Sequence, residues 1–209
     1  MSADGTLLAV GAPGETSSAR GVNGDATSTQ TQGAGAVYVF KSVPSVLNRL
    51  WKQEAYIKAS NTRPQAEYNV DIIGYYVNYP QNFGATVALS ADGSMLAVSA
   101  PGERSKAAGV NGDQSDHSMP QAGAVYTYTR TNNGDATPAT WAHQAYIKAS
   151  NPAASAQFGA SLAMAADGRT LAVGAWGERS ASTGINGDAT DTSLPLSLIH
   201  ISEPTRLGM

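Results

Sequence analysis

A chain that repeats itself at intervals of several dozen residues is constrained to stack like units, because one such unit cannot bury its apolar surface alone. Here Gly11-Ala-Pro-Gly-Glu15 returns as Ser99-Ala-Pro-Gly-Glu103 and again as Gly174-Ala-Trp-Gly-Glu178, at offsets of 88 and 75 residues. The surrounding parts return in the same order. Phe83-Gly84 and Phe158-Gly159 open the second and third repeats, followed by Ser2-Ala-Asp-Gly5, Ser90-Ala-Asp-Gly93 and Ala165-Ala-Asp-Gly168. Beyond the anchor come Gly21-Val-Asn-Gly-Asp25, Gly109-Val-Asn-Gly-Asp113 and Gly184-Ile-Asn-Gly-Asp188. Gly35-Ala-Val-Tyr38 pairs with Gly123-Ala-Val-Tyr126, and Ala55-Tyr-Ile-Lys-Ala-Ser-Asn61 with Ala145-Tyr-Ile-Lys-Ala-Ser-Asn151.

Each repeat reads as four short strands. Phe83–Ser90 alternates loosely, and Ala91-Asp92-Gly93 is a hairpin turn in which glycine supplies a positive φ. Met95–Ala100 is apolar throughout, the mark of a strand covered on both faces. Val125–Thr129 alternates β-branched with aromatic residues, and Trp141–Ala149 supplies the fourth strand. Stacked four-stranded antiparallel sheets make an all-β propeller. A parallel β-helix is the alternative, with much shorter repeats. The expected fold is therefore an incomplete propeller with one complete blade and two partial ones. Residues 1–61 form a partial first blade, 62–82 an inserted loop, 83–151 the complete blade and 152–195 a partial third. Residues 196–209 are set apart: Leu196–Arg206 reads codon for codon as a translated sequencing adapter, so a non-native tail that packs poorly is expected.

Composition removes several function classes. With 13 Lys and Arg against 16 Asp and Glu, the formal charge is −3 and no basic run offers a footprint for nucleic acid. No stretch approaches the roughly 18 consecutive apolar residues of a membrane span. The chain holds no cysteine, so neither disulfides nor thiolate metal sites arise within it. Nucleophile elbows, zinc-protease helices and phosphate loops are all missing from the sequence, and a non-enzymatic role is expected.

The order Phe-Gly, Ala-Val-Ser-Ala-Pro, Gly-Ala-Val-Tyr resembles the FG-GAP repeats that build the β-propeller of integrin alpha subunits and of many microbial surface proteins. The resemblance runs from Ser2 to about Asp191. It implies an extracellular or cell-surface module for adhesion or ligand recognition, with a protein or glycan partner. The alternative is an accessory propeller of a secreted hydrolase whose catalytic part lies elsewhere. One departure bears on metal. Integrin-type blades often carry a calcium loop between the first two strands, where this chain has Asp4, Asp92 and Asp167, each alone in a tight turn. A lone carboxylate cannot supply the roughly six to eight oxygens that calcium takes.

The metal candidates lie instead in the loop after the Gly-Ala-Pro-Gly-Glu anchor. Asn111, Asp113 and Asp116 in the second repeat, and Asn186, Asp188 and Asp191 in the third, are closely spaced oxygen donors on a glycine-containing backbone, suited to Ca2+. The first repeat keeps Asn23 and Asp25 but has Ser28 at the third position. The competing reading is that Asn-Gly-Asp simply makes turns. Glu15, Glu103 and Glu178 recur in phase as ligands, as inter-loop hydrogen-bond partners, or as solvated carboxylates, the last being preferred. Lys58 and Lys148 are expected on solvent-facing strand positions. Tyr38, Phe40, Tyr126, Tyr128, Trp51 and Trp141 are expected to pack between blades.

Overall fold

The described residues of the computed structural model form three antiparallel sheets and no helix. The structure describes residues 1–45, 49–63, 80–133, 138–182 and 186–188, with the backbone of 205–206. The first sheet is β1 (Leu7–Ala12), β2 (Ala36–Pro44) and β3 (Arg49–Ile57), in that order. The second is β4 (Val87–Leu89), β5 (Met95–Ala100), β6 (Ala124–Thr131) and β7 (Thr140–Ile147). The third pairs β8 (Phe158–Met164) with β9 (Thr170–Ala175), and β10 (Thr205–Arg206) lines the other edge of β9.

Side chains alternate across a strand, and β5 uses both of its faces. Leu96, Val98 and Ala100 belong to a core shared with the first sheet, among Leu7, Val37, Val39 and Ile57. Ala97 belongs to a core shared with the third sheet, among Phe158, Leu171, Val173 and Ala175. All six residues of β5 are buried, as a strand without polar alternation requires. The second sheet is thus sandwiched between the other two, and β6 repeats the division with Tyr126 and Tyr128 on one side and Val125 on the other.

Glycines permit the close approach of neighbouring sheets. Phe83 forms a parallel bridge to Gly35, and Phe158 one to Gly123, so each Phe-Gly pair is stitched to the preceding sheet. Gly123 has φ +84, and a Cβ there would run into the backbone of Phe158. Across the opposite ends of the sheets, the Ala-Asp-Gly turns are linked in series. Ala3 N–H donates to Ala91 O at 2.8 Å, and Ala91 N–H to Ala166 O at 2.9 Å.

The first strand of the second sheet is shorter than the sequence predicts. Only Val87–Leu89 pairs as a ladder, because the Phe83–Gly84 segment is engaged by the previous sheet and Gly84 N–H and Thr86 O bond Ser99 instead. Trp141 is buried, but Trp51 is 47% exposed, so inter-sheet packing holds for one tryptophan of the pair. Of the inserted loop, residues 64–79 lie outside the described residues, as do Ile199 and Ile201 of the tail. Thr205 and Arg206 pair with Leu171 and Thr170, so this part of the tail extends the third sheet at a position matching that of β6 in the second. An unpaired strand edge accepts such an addition through backbone groups alone.

Candidate functional site

The loops between β1 and β2 and between β5 and β6 emerge at the same end of their sheets, and they hold the metal candidates. Gly-Val-Asn in each loop docks as a short extra strand. Val22 bridges Ile57 and Val110 bridges Ile147. Asn23 and Asn111 adopt φ of 55° and 56°, the left-handed conformation that asparagine tolerates. Asn111 N–H donates to Tyr146 O at 2.7 Å, and Asn111 Oδ1 accepts Tyr146 N–H at 2.9 Å. Asn23 and Tyr56 repeat both bonds at 2.7 and 2.9 Å. These two carboxamide oxygens therefore complete a strand edge.

The carboxylates close turns of their own. Asp25 Oδ1 accepts Thr27 N–H and Oγ–H, and Asp113 Oδ1 accepts the equivalent pair from Ser115 at 2.8 and 2.7 Å. Asp116 Oδ1 accepts Ser118 N–H at 2.8 Å. Hydrogen bonds from the Ser115 and Ser118 side chains and backbones hold Asp113 and Asp116 below the usual carboxylate range. Asn186 is left-handed at φ 58, Asp188 lends its backbone carbonyl to Ser182 Oγ–H, and Asp191 lies outside the described residues. Among the described residues no three acidic or histidine side chains converge on one point. The described donors are engaged in turns and strand edges.

The recurring charged residues are buried, contrary to the sequence reading. Lys58 and Lys148 side chains are wholly enclosed, and Glu103 is 1% exposed. Lys58 Nζ donates to Glu15 Oε2 at 2.5 Å, and Lys148 Nζ to Glu103 Oε2 at 2.7 Å. The expectation of solvent-facing lysines fails because each, just past a strand end, turns onto the glutamate of its own repeat's loop, which offsets the cost of enclosing an ammonium. Burial pulls Lys148 below its ordinary range, while the charge and hydrogen bond of Glu103 pull the other way. Of the readings open to Glu103 and Glu178, the inter-loop hydrogen bond is the one realised. Asn61 Nδ2 donates to Glu103 Oε1 at 3.0 Å, and Asn151 Nδ2 to Glu178 Oε1 at 3.1 Å, each reaching from one repeat into the next. Tyrosines seal the network: Tyr146 Oη hydrogen-bonds Ser105 Oγ, and Tyr126 O–H donates to Asn61 Oδ1 at 2.5 Å. The co-recurrence of Glu, Tyr-x-Lys and Asn in one phase was the signal available for this network.

Over the network a cleft of about 440 Å³ opens between loops of the first and second repeats, lined by Arg20, Ser60, Gln114, Ser115 and His117, with Asn61 of the network itself in its wall. Arg20 Nε–H donates to Thr62 O at 2.9 Å, and Ser60 Oγ–H to Gln114 Oε1 at 2.6 Å, so two lining groups are held in place. Such a wall of hydroxyl, amide and guanidinium groups suits a polar ligand. Sequence reasoning did not find it, because Arg20, Gln114 and His117 have no like residue at the matching positions of the other repeats and nothing local brings them together.

Residues 141–189 match the family model described as FG-GAP repeat. The match begins on β7 of the second sheet and runs past β9 of the third, so the sequence unit spans the junction between sheets. Neither a curated protein nor a solved structure matches the chain. No helix among the described residues is long and apolar enough to cross a membrane.

Proposed function

Because the chain carries an FG-GAP repeat, a β-propeller-type module, we propose that its sheets are successive blades and that it works as a non-catalytic recognition or adhesion module outside the cell. On this reading the second sheet is a complete four-stranded blade, and the first and third are partial ones. The observation that carries the proposal is a division of labour. The recurring Lys and Glu are buried and join the blades, whereas Arg20, Gln114 and His117, which line the cleft, stand at positions that differ between repeats. A scaffold repeated beneath variable loops is how folds of this kind host binding.

The partner proposed is a protein or glycan presented at a cell surface, met by the cleft between the first two blades. Binding of the full chain to arrayed glycans and cell-surface proteins tests this. Gln114→Ala and Arg20→Ala should weaken the interaction without lowering the melting temperature. A ligand whose binding ignores both substitutions would overturn the assignment to this rim.

Calcium is a second reading, favoured by the mutual proximity of Asp113 and Asp116: the negative charge of Asp116 raises the pKa of Asp113 against the hydrogen bonds that lower it. Each has one carboxylate oxygen outside its turn hydrogen bonds to the backbone. A calcium ion bridging those oxygens would relieve their repulsion. Calorimetric titration should show binding that Asp113→Ala abolishes and Asp92→Ala leaves intact. Binding lost with Asp92→Ala alone would sink the idea.

A further inference from the structure

At the junction of the first two sheets a single buried carboxylate holds an amine and a carboxamide side by side. Lys148 Nζ lies 2.7 Å from Glu103 Oε2, and Asn61 Nδ2 lies 3.0 Å from Glu103 Oε1. The lysine and glutamate side chains are 0% and 1% exposed. On its far side the Asn61 amide oxygen accepts Tyr126 O–H at 2.5 Å and Gln81 Nε2–H at 3.0 Å. A nucleophile, a carbonyl held by two donors and a carboxylate touching both nitrogens therefore meet at one point, the amine and carboxylate enclosed and the half-buried Asn61 at the floor of the cleft.

We propose that Lys148 and Asn61 condense to an Nζ–Cγ amide, an isopeptide bond that ties the first sheet covalently to the second, with Glu103 as the proton carrier.

The step balances as follows. The Lys148 ammonium passes a proton to the Glu103 carboxylate, and the freed Nζ lone pair adds to Asn61 Cγ. The carbonyl π electrons move onto Oδ1, where Tyr126 O–H and Gln81 N–H hold the oxyanion. Glu103 gives its proton to Nδ2, the electron pair on Oδ1 returns to re-form the Cγ carbonyl, and the Cγ–Nδ2 bond breaks with its electron pair leaving on nitrogen as ammonia. Nζ then loses its surplus proton through Glu103 to the ammonia, which departs as ammonium. No redox change occurs, and Glu103 is regenerated as carboxylate.

Two features favour the reaction. Burial lowers the pKa of Lys148, and a desolvated amine is the activated form of a lysine nucleophile. The fold also supplies both reactants on fixed elements, so the encounter is intramolecular. Lys148 follows β7, and Asn61 follows β3, placing the bond across the seam. Asn151 stands against Glu178 in the same manner at the following junction.

Mass spectrometry of the folded full chain decides the matter. The expected result is a branched peptide joining Lys148 to Asn61, in a chain lighter than encoded by one ammonia. Lys148→Arg, Asn61→Ala and Glu103→Gln should each abolish that peptide. Asn-Gly sequences such as Asn111-Gly112 can also lose ammonia by cyclisation, so the branched peptide is the supporting readout and the mass change alone is not. Recovery of Lys148 and Asn61 on separate linear peptides from the folded wild-type chain overturns the proposal, whatever the variants do.

Discussion

At the scale of single residues, the seam between sheets rests on atoms that are missing as much as on those present. Gly123 sits at φ +84 with the Phe158 backbone where its Cβ would be, whereas Gly14 has nothing within 4 Å. Gly123→Ala should therefore destabilise by about 2–3 kcal/mol, from left-handed strain plus the collision, while Gly14→Ala should be nearly neutral. Chemical denaturation of the two variants compares them, and equal effects would refute the seam's dependence on that glycine. The charged residues behave differently. Glu54 loses solvent, which raises its pKa, but Arg130 and Trp141 outweigh this and set it below the ordinary 4.5. Arg130 holds it with bonds of 2.7 and 2.8 Å, and Trp141 Nε1–H adds one at 3.0 Å. A carboxylate with a depressed folded-state pKa contributes its stability above the unfolded value, and that share disappears as pH falls through the folded one. Melting temperature should fall as pH drops below about 4.5, and Glu54→Gln should flatten that part of the curve; parallel curves would remove Glu54 from the account. The turn glycines were legible from sequence, since Ala-Asp-Gly carries its own chemistry. Lys58 and Lys148 were misread because a charge looks solvated until its partner, more than 40 residues away, is brought beside it.

Among the elements, β5 was the most legible, because an unbroken apolar run has few homes other than a strand with a sheet on either side. Val98 is fully buried in it, and Val10, at the corresponding place on β1, is 42% exposed. Val98→Ala should cost about 2–3 kcal/mol, whereas Val10→Ala should stay within about 0.5 kcal/mol. Similar costs at the two positions would show that the first sheet is covered in solution. The Asn-Gly-Asp loops were half legible. Their turn chemistry could be read from the residues, but nothing local says that Asn111 faces Tyr146 across the edge of β7. Asn111→Ala removes the acceptor of Tyr146 N–H and should cost about 1–3 kcal/mol, with amide exchange accelerated at Tyr146. If protection there is unchanged, the loop is an appendage rather than an extra strand.

For the whole molecule, the repeat predicted stacking and the structure shows how each sheet grips the next. The connection is made early in each repeat by a phenylalanine that belongs in sequence to one sheet and in pairing to the one before. Phe83 is fully buried, bridges Gly35, and sets its ring against Tyr126 and Tyr128 at centroid distances of 5.3 and 6.4 Å. Phe158 bridges Gly123 and packs in the core shared with the third sheet. In a stack where each unit touches only its neighbours, stability is a sum of unit and junction terms, so damage at one junction should be felt locally. Truncating a buried phenylalanine to alanine typically costs about 3–5 kcal/mol, enough to separate units that otherwise unfold together. Phe83→Ala should accordingly let β2 amides exchange ahead of those of β6 and leave β9 unaffected. Phe158→Ala should do the reverse, loosening β9 while β2 keeps its protection. Hydrogen exchange resolved by strand measures both. Uniform loss of protection in all three sheets from either variant would mean a single indivisible core, and the description of separate sheets joined at phenylalanine seams would have to be abandoned.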